Sequence, residues 1–176
     1  MKLCVTGTPG TGKTEISKEL SKRLEWKLIP INHIAEDLNA YLGDDEKRGA
    51  KILDMDKIND YLDDVGGDII IEGHIAHEVP CDIVVVLRCD PGVLEERLKE
   101  RYPDKPDKVK ENVDAEILGV ITSDAVQINE KVYEIETSKK SIDENVKEIM
   151  NIIDGDSQEY RIGSIDWLEE YEEKLI

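Results

Sequence analysis

The sequence predicts an α/β domain in which a mostly parallel, five-stranded sheet is flanked by helices. Short apolar runs alternate with amphipathic helical patterns along the chain, which is typical of parallel sheets. A glycine-rich stretch at 7–14, Gly-Thr-Pro-Gly-Thr-Gly-Lys-Thr, stands between the first such run and the first helical pattern. Strand, glycine-rich loop and helix in this order form the context that a phosphate-binding loop, or P-loop, requires.

The predicted strands are short apolar runs, and two of them are uninterrupted. Because a strand at the centre of a parallel sheet is covered on both faces, such continuous runs are expected there, and they occur at 69–71 and 83–87. The predicted strands are 3–6, 27–31, 68–72, 83–87 and 132–135.

Helical patterns fill the segments between these strands. Asp90-Pro91 is a helix-start signal, and Ser141 shortly before two acidic residues is another. The predicted helices are 13–24, 34–41, 56–64, 92–101, 106–129 and 142–153.

Two connections are not simple loops. Residues 32–67 include a polar break at 43–46, and residues 102–107 form a stiff, charged turn, Tyr-Pro-Asp-Lys-Pro-Asp. Long functional loops commonly hold a second substrate or serve as a lid. We therefore expect substrate-binding and covering segments at these two places, the second being a short lid.

The P-loop sequence assigns chemistry to individual residues. Gly10 and Gly12 allow successive backbone N–H groups to point into one concavity, and the following helix presents its positive dipole end to an anion. Lys13 is expected to reach the β- and γ-phosphates, and the Thr14 hydroxyl is expected to bind Mg²⁺. The motif in this context predicts a protein that binds a nucleoside triphosphate.

A P-loop enzyme needs a second carboxylate at the end of a neighbouring strand, where it orders Mg²⁺ or its waters. Glu72 closes the predicted strand 68–72 and fits this role. His74 is a candidate for orienting an attacking water or acceptor, because its charge state is adjustable near neutral pH. The alternative for His74 is a purely structural histidine.

Arginines are scarce, and two of them lie one turn apart on the helix that enters the charged turn. Arg97 and Arg101 share a helix face, and guanidinium groups delivered by a lid neutralise a phosphoryl group in transfer. The alternative is a solvated pair bridging Glu95, Glu96 or Glu100. Arg88, at the end of the fourth predicted strand, either points toward the ligand-binding edge of the sheet or pairs with Asp90.

The charge balance bears on partners and location. Among 176 residues, 23 are basic and 41 acidic, giving a net charge of −18, which repels nucleic acid and membrane phosphates and attracts a basic protein. Solubility alone is the alternative explanation. No apolar run approaches membrane length, and the P-loop begins too close to Met1 for a signal peptide. We therefore expect a cytoplasmic protein without membrane contact or direct nucleic-acid binding.

Three cysteines, Cys4, Cys81 and Cys89, are too few for a disulfide framework. Two lie in apolar strand-like runs and Cys81 just precedes one. The sequence therefore predicts small buried thiols in a reducing compartment rather than disulfide bridges.

Several segments together resemble one small family. They are the P-loop 7–14, the Glu-Gly-His triplet 72–74, and the runs 84–90 (Val-Val-Val-Leu-Arg-Cys-Asp), 94–98 (Leu-Glu-Glu-Arg-Leu) and 111–117 (Glu-Asn-Val-Asp-Ala-Glu-Ile). Over about 2–153 the chain is similar to the archaeal form of the adenylate-kinase-like ATPases needed for maturation of the small ribosomal subunit. The P-loop is generic, whereas the segment 111–117 after so short a lid is more specific.

The resemblance implies a nucleoside monophosphate kinase fold, with both phosphoryl transfer between ATP and AMP and ATP hydrolysis. A kinase domain would span 1–155, including a monophosphate-binding insertion at 30–53 and a lid at 100–110. Arg101 would hold ATP from the lid, while Glu72 and His74 would serve Mg²⁺ and water activation. The phosphates would be held by Gly10, Gly12, Lys13, Thr14 and the backbone of Glu15.

The same resemblance implies a transient partner, a basic platform protein of the small ribosomal subunit (universal protein number eleven). Two positions depart from the family pattern. Glu15 stands where a second hydroxyl residue is common, and binding should survive because the position offers its backbone N–H. Glu72 stands where Asp is more usual, and with the added methylene its contact with Mg²⁺ could be mediated by a water.

Three other functions remain open. A GTPase would need an Asn-Lys-x-Asp guanine-binding motif, which the sequence lacks. The loop 137–139 after the last strand fits better around adenine, with Lys139 as the candidate contact. A small-metabolite kinase would share the P-loop, the lid arginine and the size, and a binding module would use nucleotide only as a switch. The preferred monophosphate and the oligomeric state are not predicted.

Residues 156–176 form an acidic C-terminal extension with no counterpart in the family pattern. Trp167, Leu168 and Tyr171 predict a short amphipathic helix with these side chains on one side. Packing of this helix on the domain is favoured over docking to a partner.

Overall fold

A parallel sheet lies at the centre of the molecule. The structure is a computed structural model that describes residues 1–45 and 50–175. In chain order its strands are β1 (Lys2–Gly7), β2 (Lys27–Pro30), β3 (Tyr41–Asp45), β4 (Ala50–Leu53), β5 (Ile69–Glu72), β6 (Ile83–Arg88) and β7 (Val132–Glu136). Five of them form one sheet in the order β2-β5-β1-β6-β7, with every neighbouring pair parallel. The predicted five-stranded parallel sheet is confirmed.

Helices cover both faces of this sheet. In chain order they are α1 (Lys13–Leu24), α2 (Ile31–Asp37), α3 (Met55–Asp64), α4 (Pro91–Arg101), α5 (Pro106–Ile117), α6 (Val120–Ile128), α7 (Ile142–Ile153) and α8 (Trp167–Tyr171). α1 and α7 pack on one face, where Leu20 and Ile149 meet Ile70 of β5. α2, α3 and α6 pack on the other face, where Ile58 meets Ile71. Adjacent residues of β5 thus enter opposite cores, which explains the continuous apolar run at 69–71.

The predicted helix starts agree with the caps. The Asp90 carboxylate accepts hydrogen bonds from the N–H groups of Gly92 at 2.9 Å and Val93 at 3.1 Å, at the start of α4. Ser141 and Glu144 form a reciprocal capping box at the start of α7. Such caps satisfy backbone donors that the first turn of a helix leaves free.

The predicted helix 34–41 is wrong in its extent. α2 covers Ile31–Asp37 and is followed by Asn39, whose φ of 46° is left-handed. Asparagine tolerates this conformation, which ends the helix. The chain then enters a hairpin of β3 and β4, in which Tyr41 pairs with Leu53. The hairpin lies in the predicted insertion 30–53; of the predicted polar break 43–46, Glu46 lies outside the described residues.

The predicted helix 106–129 is two helices. α5 ends at Ile117 and α6 begins at Val120, with Gly119 between them at a φ of 62°. This left-handed conformation is accessible to glycine at little cost. The break redirects the chain so that α5 faces the P-loop side and α6 packs on the sheet.

The cysteine prediction is wrong for one pair. Cys4 and Cys81 form a disulfide with their Cα atoms 6.2 Å apart, and Cys89 is a free, buried thiol. The segment before β6 runs beside β1, where the Asp82 N–H donates to the Lys2 carbonyl at 2.9 Å. The pair is 77 residues apart in sequence, so spacing alone could not reveal it.

The C-terminal segment returns to the domain. Arg161 forms a β-bridge with Tyr133 of β7. Tyr171 and Leu175 pack against the apolar cluster between α4 and α5, which includes Leu94. α8 is the short helix predicted in this segment. In the part of the chain that the structure describes, we find no helix with the length and apolar character needed to cross a membrane.

Candidate active site at the carboxyl edge of the sheet

The P-loop bends between the end of β1 and the start of α1. Gly10 has a φ of 97°, and a Cβ at this position would lie 2.9 Å from Cδ1 of Leu94 on α4. Glycine is therefore required there on both conformational and steric grounds. The loop is closed by a hydrogen bond of 3.3 Å from the Thr11 N–H to the Thr8 carbonyl. The N-terminus of α1 thereby faces the loop, which is the arrangement that binds phosphate.

Lys13 is buried and folded back onto the loop. Its ammonium group donates to the carbonyls of Gly7 at 2.8 Å and Thr8 at 3.0 Å. Burial lowers the pKa of Lys13 to about 8, with the negative charge of Glu72 opposing the shift. A cation in so little water gains strongly from an anionic ligand, since desolvation weakens its competing hydration.

Thr14 and Glu72 lie together, as the sequence predicts. β1 and β5 pair in parallel with Val5 opposite Glu72, so both strands deliver residues to the same edge. The Thr14 hydroxyl donates to the Glu72 carboxylate at 3.2 Å, and Glu72 is only 9% exposed. Hydroxyl and carboxylate oxygens are the hard donors that Mg²⁺ prefers, so this pair fits the ion that accompanies a nucleoside triphosphate.

The two histidines after β5 have different surroundings. Desolvation, followed by the positive charge of Lys13, lowers the pKa of His74, with smaller effects from His77 and Lys108. His74 is therefore neutral at pH 7 and lies within electrostatic range of both the P-loop and the predicted lid. His77 is buried, with its Nδ1 atom 3.1 Å from the Thr6 hydroxyl, and its role is structural.

The arginines of α4 lie beside the P-loop. Arg97 donates to the Gly10 carbonyl at 3.2 Å. Arg101 is exposed at the end of α4, and its positive charge contributes to lowering the Lys13 pKa. Glu95, one of the glutamates considered as their partner, instead binds Lys99 and Lys174. Arg97 thus contacts the P-loop, and Arg101 lies within electrostatic range of Lys13.

Arg88 does not pair with Asp90. Its guanidinium is 4% exposed and is held between two carboxylates. The Nε atom donates to Glu116 at 2.8 Å, and Nη1 donates to Glu134. Nη2 donates to the Glu116 carbonyl at 2.8 Å. The expected pairing with Asp90 is therefore wrong, because Glu116 and Glu134 bind the guanidinium, and Arg88 reaches the P-loop only through Glu116, which contacts Thr8.

Sequence reasoning gave no role to Glu116, which is 2% exposed and contacts the P-loop. The Thr8 hydroxyl donates to its Oε2 atom at 2.5 Å. A signal existed, because Glu116 lies on the same helix stripe as the buried Val109, Val113 and Ile117. An acid on an apolar stripe indicates a buried ion pair.

The loop after β7 borders the P-loop. The Thr137 hydroxyl lies 2.9 Å from the Thr11 carbonyl, and the Ser138 hydroxyl accepts the Asp90 N–H at 2.5 Å. Lys139 is exposed, and its charge contributes to lowering the Asp90 pKa. The predicted adenine-binding loop therefore lies next to the phosphate site.

This sheet order, P-loop and set of flanking helices define an α/β P-loop fold of the nucleoside monophosphate kinase type. Solved structures agree with the fold. Shikimate kinase from Bacteroides thetaiotaomicron superposes with a TM-score of 0.59 at 16% identity, covering 88% of this chain and 98% of that one. Deoxyadenosine kinase from M. mycoides gives 0.55 at 16% identity, covering 89% and 100%.

Sequence relatives identify the family. A family model described as an AAA domain matches residues 3–119. A protein named "Putative adenylate kinase" from Methanosarcina barkeri is 41% identical, covering 96% of this chain and 98% of its own. Its namesake from Methanocaldococcus jannaschii is 38% identical, covering 97% and 95%. The chain belongs to this family of archaeal adenylate-kinase-like proteins, and it is a P-loop kinase.

Proposed function

We propose that the protein is an ATP:AMP phosphotransferase that also hydrolyses ATP. The observation that carries the proposal is the convergence of four groups on one loop. Lys13 lies within it, the Thr14–Glu72 pair lies at its exit, and Arg97 contacts it from α4. The names of the relatives support AMP as the acceptor.

Binding of ATP uses the groups already directed at the loop. The backbone N–H groups of 10–15 cradle the phosphates. The Lys13 ammonium exchanges its two loop carbonyls for β- and γ-phosphate oxygens, which are stronger partners because they are charged. Thr14 and Glu72 would hold Mg²⁺, which would supply neutralisation of part of the phosphate charge. Lys139 and its loop are proposed to contact adenine.

Transfer requires alignment and charge neutralisation more than proton abstraction. An oxygen of the AMP phosphate attacks the γ-phosphorus of ATP, the bond from that phosphorus to the β-bridging oxygen breaks, and two ADP molecules result. Arg97 and Arg101 are proposed to stabilise the charge on the equatorial oxygens of the phosphoryl group in flight. The insertion 30–53 is proposed to hold AMP, and the lid 100–110 to cover ATP.

Hydrolysis replaces the monophosphate by a water. His74 is proposed to accept a hydrogen bond from this water, since its lowered pKa keeps the imidazole neutral and able to accept. Glu72 would hold Mg²⁺ or its waters beside this site. ATPase activity would then persist, at a lower rate, without an acceptor.

An acceptor panel tests the function. ADP formation from ATP and Mg²⁺ is measured with AMP, CMP, UMP, GMP or shikimate, and with no acceptor. We expect AMP to give the highest rate, slow phosphate release without acceptor, and no phosphorylation of shikimate. Phosphorylated shikimate without AMP-dependent ADP formation would favour the small-metabolite kinase, and inactivity with tight ATP binding would favour a nucleotide-gated binding module.

A role in small-ribosomal-subunit maturation is the finer part of the proposal. It is supported by the family resemblance and by the net charge of −18, which favours a basic partner. We propose a cytoplasmic protein that binds the platform protein, universal number eleven, transiently. Purified partner should bind with an affinity that falls as salt rises and changes with bound nucleotide. Absence of binding at low salt would refute the proposed role in ribosome maturation and leave the proposed kinase activity standing.

A further inference from the structure

A buried chain of hydrogen-bonded charges runs from the P-loop into the core. It begins at the Thr8 hydroxyl, passes through Glu116 and Arg88, and ends at Glu134. Each of these four side chains is buried, at 2%, 2%, 4% and 2% exposure respectively. Burying two carboxylates and a guanidinium is costly unless each is fully partnered. Here the three charged groups partner one another, and the network links the P-loop to the core.

The Glu116 carboxylate is almost fully partnered by the nucleotide-binding edge of the sheet. Oε1 accepts from Arg88 Nε at 2.8 Å and from the Cys89 N–H at 3.0 Å, while Oε2 accepts from Thr8 at 2.5 Å. Arg88 and Cys89 lie at the end of β6, and Thr8 lies in the loop that leaves β1. One carboxylate therefore ties the P-loop to the neighbouring strand.

Thr8 in turn organises the loop around Lys13. Its carbonyl accepts from the Lys13 ammonium at 3.0 Å and from the Thr11 hydroxyl at 2.9 Å. The Glu116 charge also acts directly on Lys13, opposing the lowering of its pKa. Fixing the Thr8 side chain therefore fixes the backbone that surrounds the cation of the phosphate site.

We propose that Glu116 is a positioning residue that holds the P-loop in its nucleotide-binding shape through the Thr8 hydroxyl. Glu116 lies at the C-terminal end of α5, and the other end of α5 begins at the predicted lid turn. The same helix thus connects lid and loop. The inference rests on the proposed binding of ATP, and it does not depend on which acceptor is phosphorylated.

The chain offers a matched control for a lost buried hydroxyl. Thr122 on α6 donates to the other carboxylate of the network, Glu134, at 2.7 Å, far from the P-loop in the chain of contacts. Thr8→Val and Thr122→Val each remove one hydroxyl bond to a buried glutamate with little change in shape. Both should lower the unfolding midpoint, because each leaves a buried carboxylate less satisfied. Thr8→Val alone should affect nucleotide binding.

The test compares wild type, Thr8→Val, Thr8→Ser, Thr122→Val and Glu116→Gln. The dissociation constant for ATP with Mg²⁺ is measured by equilibrium titration without acceptor, below the unfolding temperature of each variant. We expect Thr8→Val to weaken ATP binding roughly tenfold or more, the loss typical of a charged hydrogen bond. Thr8→Ser, which keeps the hydroxyl, and Thr122→Val should stay within about threefold of wild type.

Glu116→Gln should also weaken ATP binding, because it replaces the charged acceptor of the Thr8 hydroxyl by a neutral amide. Combining it with Thr8→Val should add little, because both changes act on the same contact. If Glu116→Gln fails to fold, Thr8→Val still decides. Wild-type affinity in Thr8→Val, equal losses in Thr8→Ser, or an equal loss in Thr122→Val would each overturn the proposal. If the wild-type protein binds ATP but does not phosphorylate AMP, the proposed function is wrong, while the comparison of ATP affinities among the variants still tests the role of Glu116.

Discussion

At the residue scale, the phosphate site depends on a lysine that already has two partners. Lys13 donates to the carbonyls of Gly7 and Thr8, and the proposed binding of ATP requires it to exchange these contacts for phosphate oxygens. The sequence motif predicts the residue and its role. It cannot predict this self-bound arrangement, because the arrangement depends on the loop geometry set by Gly10, Thr8 and their neighbours.

Lys13→Ala should abolish both AMP phosphorylation and ATP hydrolysis, because one cation on the β- and γ-phosphates serves both reactions. Removal of the Lys13 ammonium should not unfold the protein, because its partners are two P-loop carbonyls and the Thr8 carbonyl keeps the Thr11 hydroxyl as a donor. Rates of ADP and phosphate formation, with circular dichroism as a check on folding, test this. Turnover near wild type with normal ATP affinity would refute the P-loop assignment.

Arg101→Ala should lower turnover roughly 100-fold or more if the guanidinium acts on transition-state charge. If Arg101 only holds ground-state ATP, the KM for ATP should rise while kcat stays nearly intact. Steady-state kinetics separate these outcomes. Lys99→Ala is the matched control, because Lys99 lies on the same helix and binds Glu95 at 2.6 Å; it should leave kcat and KM unchanged. If Arg101→Ala also left kcat and KM unchanged, Arg101 would be a solvated surface residue.

His74→Ala should separate the two activities. Hydrolysis needs a water held in line with the γ-phosphate, whereas AMP brings its own anionic oxygen and depends on positioning. We therefore expect phosphate release without acceptor to fall much further than ADP formation with AMP. Measuring both rates on one preparation decides the matter, and equal losses would assign His74 to a structural role or to the surroundings of Mg²⁺.

At the element scale, the sequence predicted the parts of the fold that bury continuous apolar runs. β5 and β6 are examples, because both of their faces are covered and the pattern is unambiguous. The prediction failed where one residue changes the chain direction: Asn39 ends α2, and Gly119 divides the long helical pattern. The prediction that Arg88 pairs with Asp90 also failed. The partners of a buried charge can be distant in sequence, and the sequence pattern does not show which residues pair.

Gly119→Ala should destabilise the fold by about 1 kcal/mol, because the left-handed conformation at a φ of 62° disfavours a side chain. The added Cβ would lie 3.7 Å from Arg88 Nη1, an ordinary contact, so the cost is conformational. Urea unfolding measures the change. Gly66→Ala is the control, because the added atom meets nothing within 4 Å, and it should leave the free energy of unfolding unchanged. An equal loss of stability in both variants would contradict the role of Gly119 in the helix break.

At the scale of the whole molecule, the C-terminal segment is tied to the helix that carries the arginines. The Tyr171 hydroxyl donates to the Asp90 carboxylate at 2.8 Å, and Lys174 binds Glu95 at 2.9 Å. Burial raises the pKa of Tyr171 to about 12, helped by its bond to Asp90, so this hydroxyl remains a donor at any physiological pH. The sequence predicted the helix there but not its anchor.

Tyr171→Phe should lower the free energy of unfolding at pH 7 by about 1 kcal/mol, a value kept small because Asp90 is partly exposed. Burial alone would raise the pKa of Asp90, but hydrogen bonds from Val93, Tyr171 and Gly92 lower it from 3.8. Stability from this carboxylate is therefore present above 3.8 and lost as pH falls through the lowered value.

Consequently, the difference in unfolding free energy between wild type and Tyr171→Phe should shrink as the pH falls from 3.8 through that lowered value. Denaturant titrations at pH 7 and in acid, where both proteins remain folded, measure it. Tyr61→Phe, at an exposed tyrosine on α3, should match wild type at both pH values. A difference that grew in acid would contradict the assigned bond.

The order of strands in the sheet has a consequence for how the molecule acquires its shape. β1 pairs Lys2 with Ile69 and Leu3 with Ile83. The strand that leads into the P-loop therefore pairs only with strands from the middle of the chain. Pairings of such separation form slowly, because the intervening chain must first be closed into a loop. Although the nucleotide motif stands near the beginning of the sequence, we expect the pocket it builds to be completed late in folding, when β6 has joined β1.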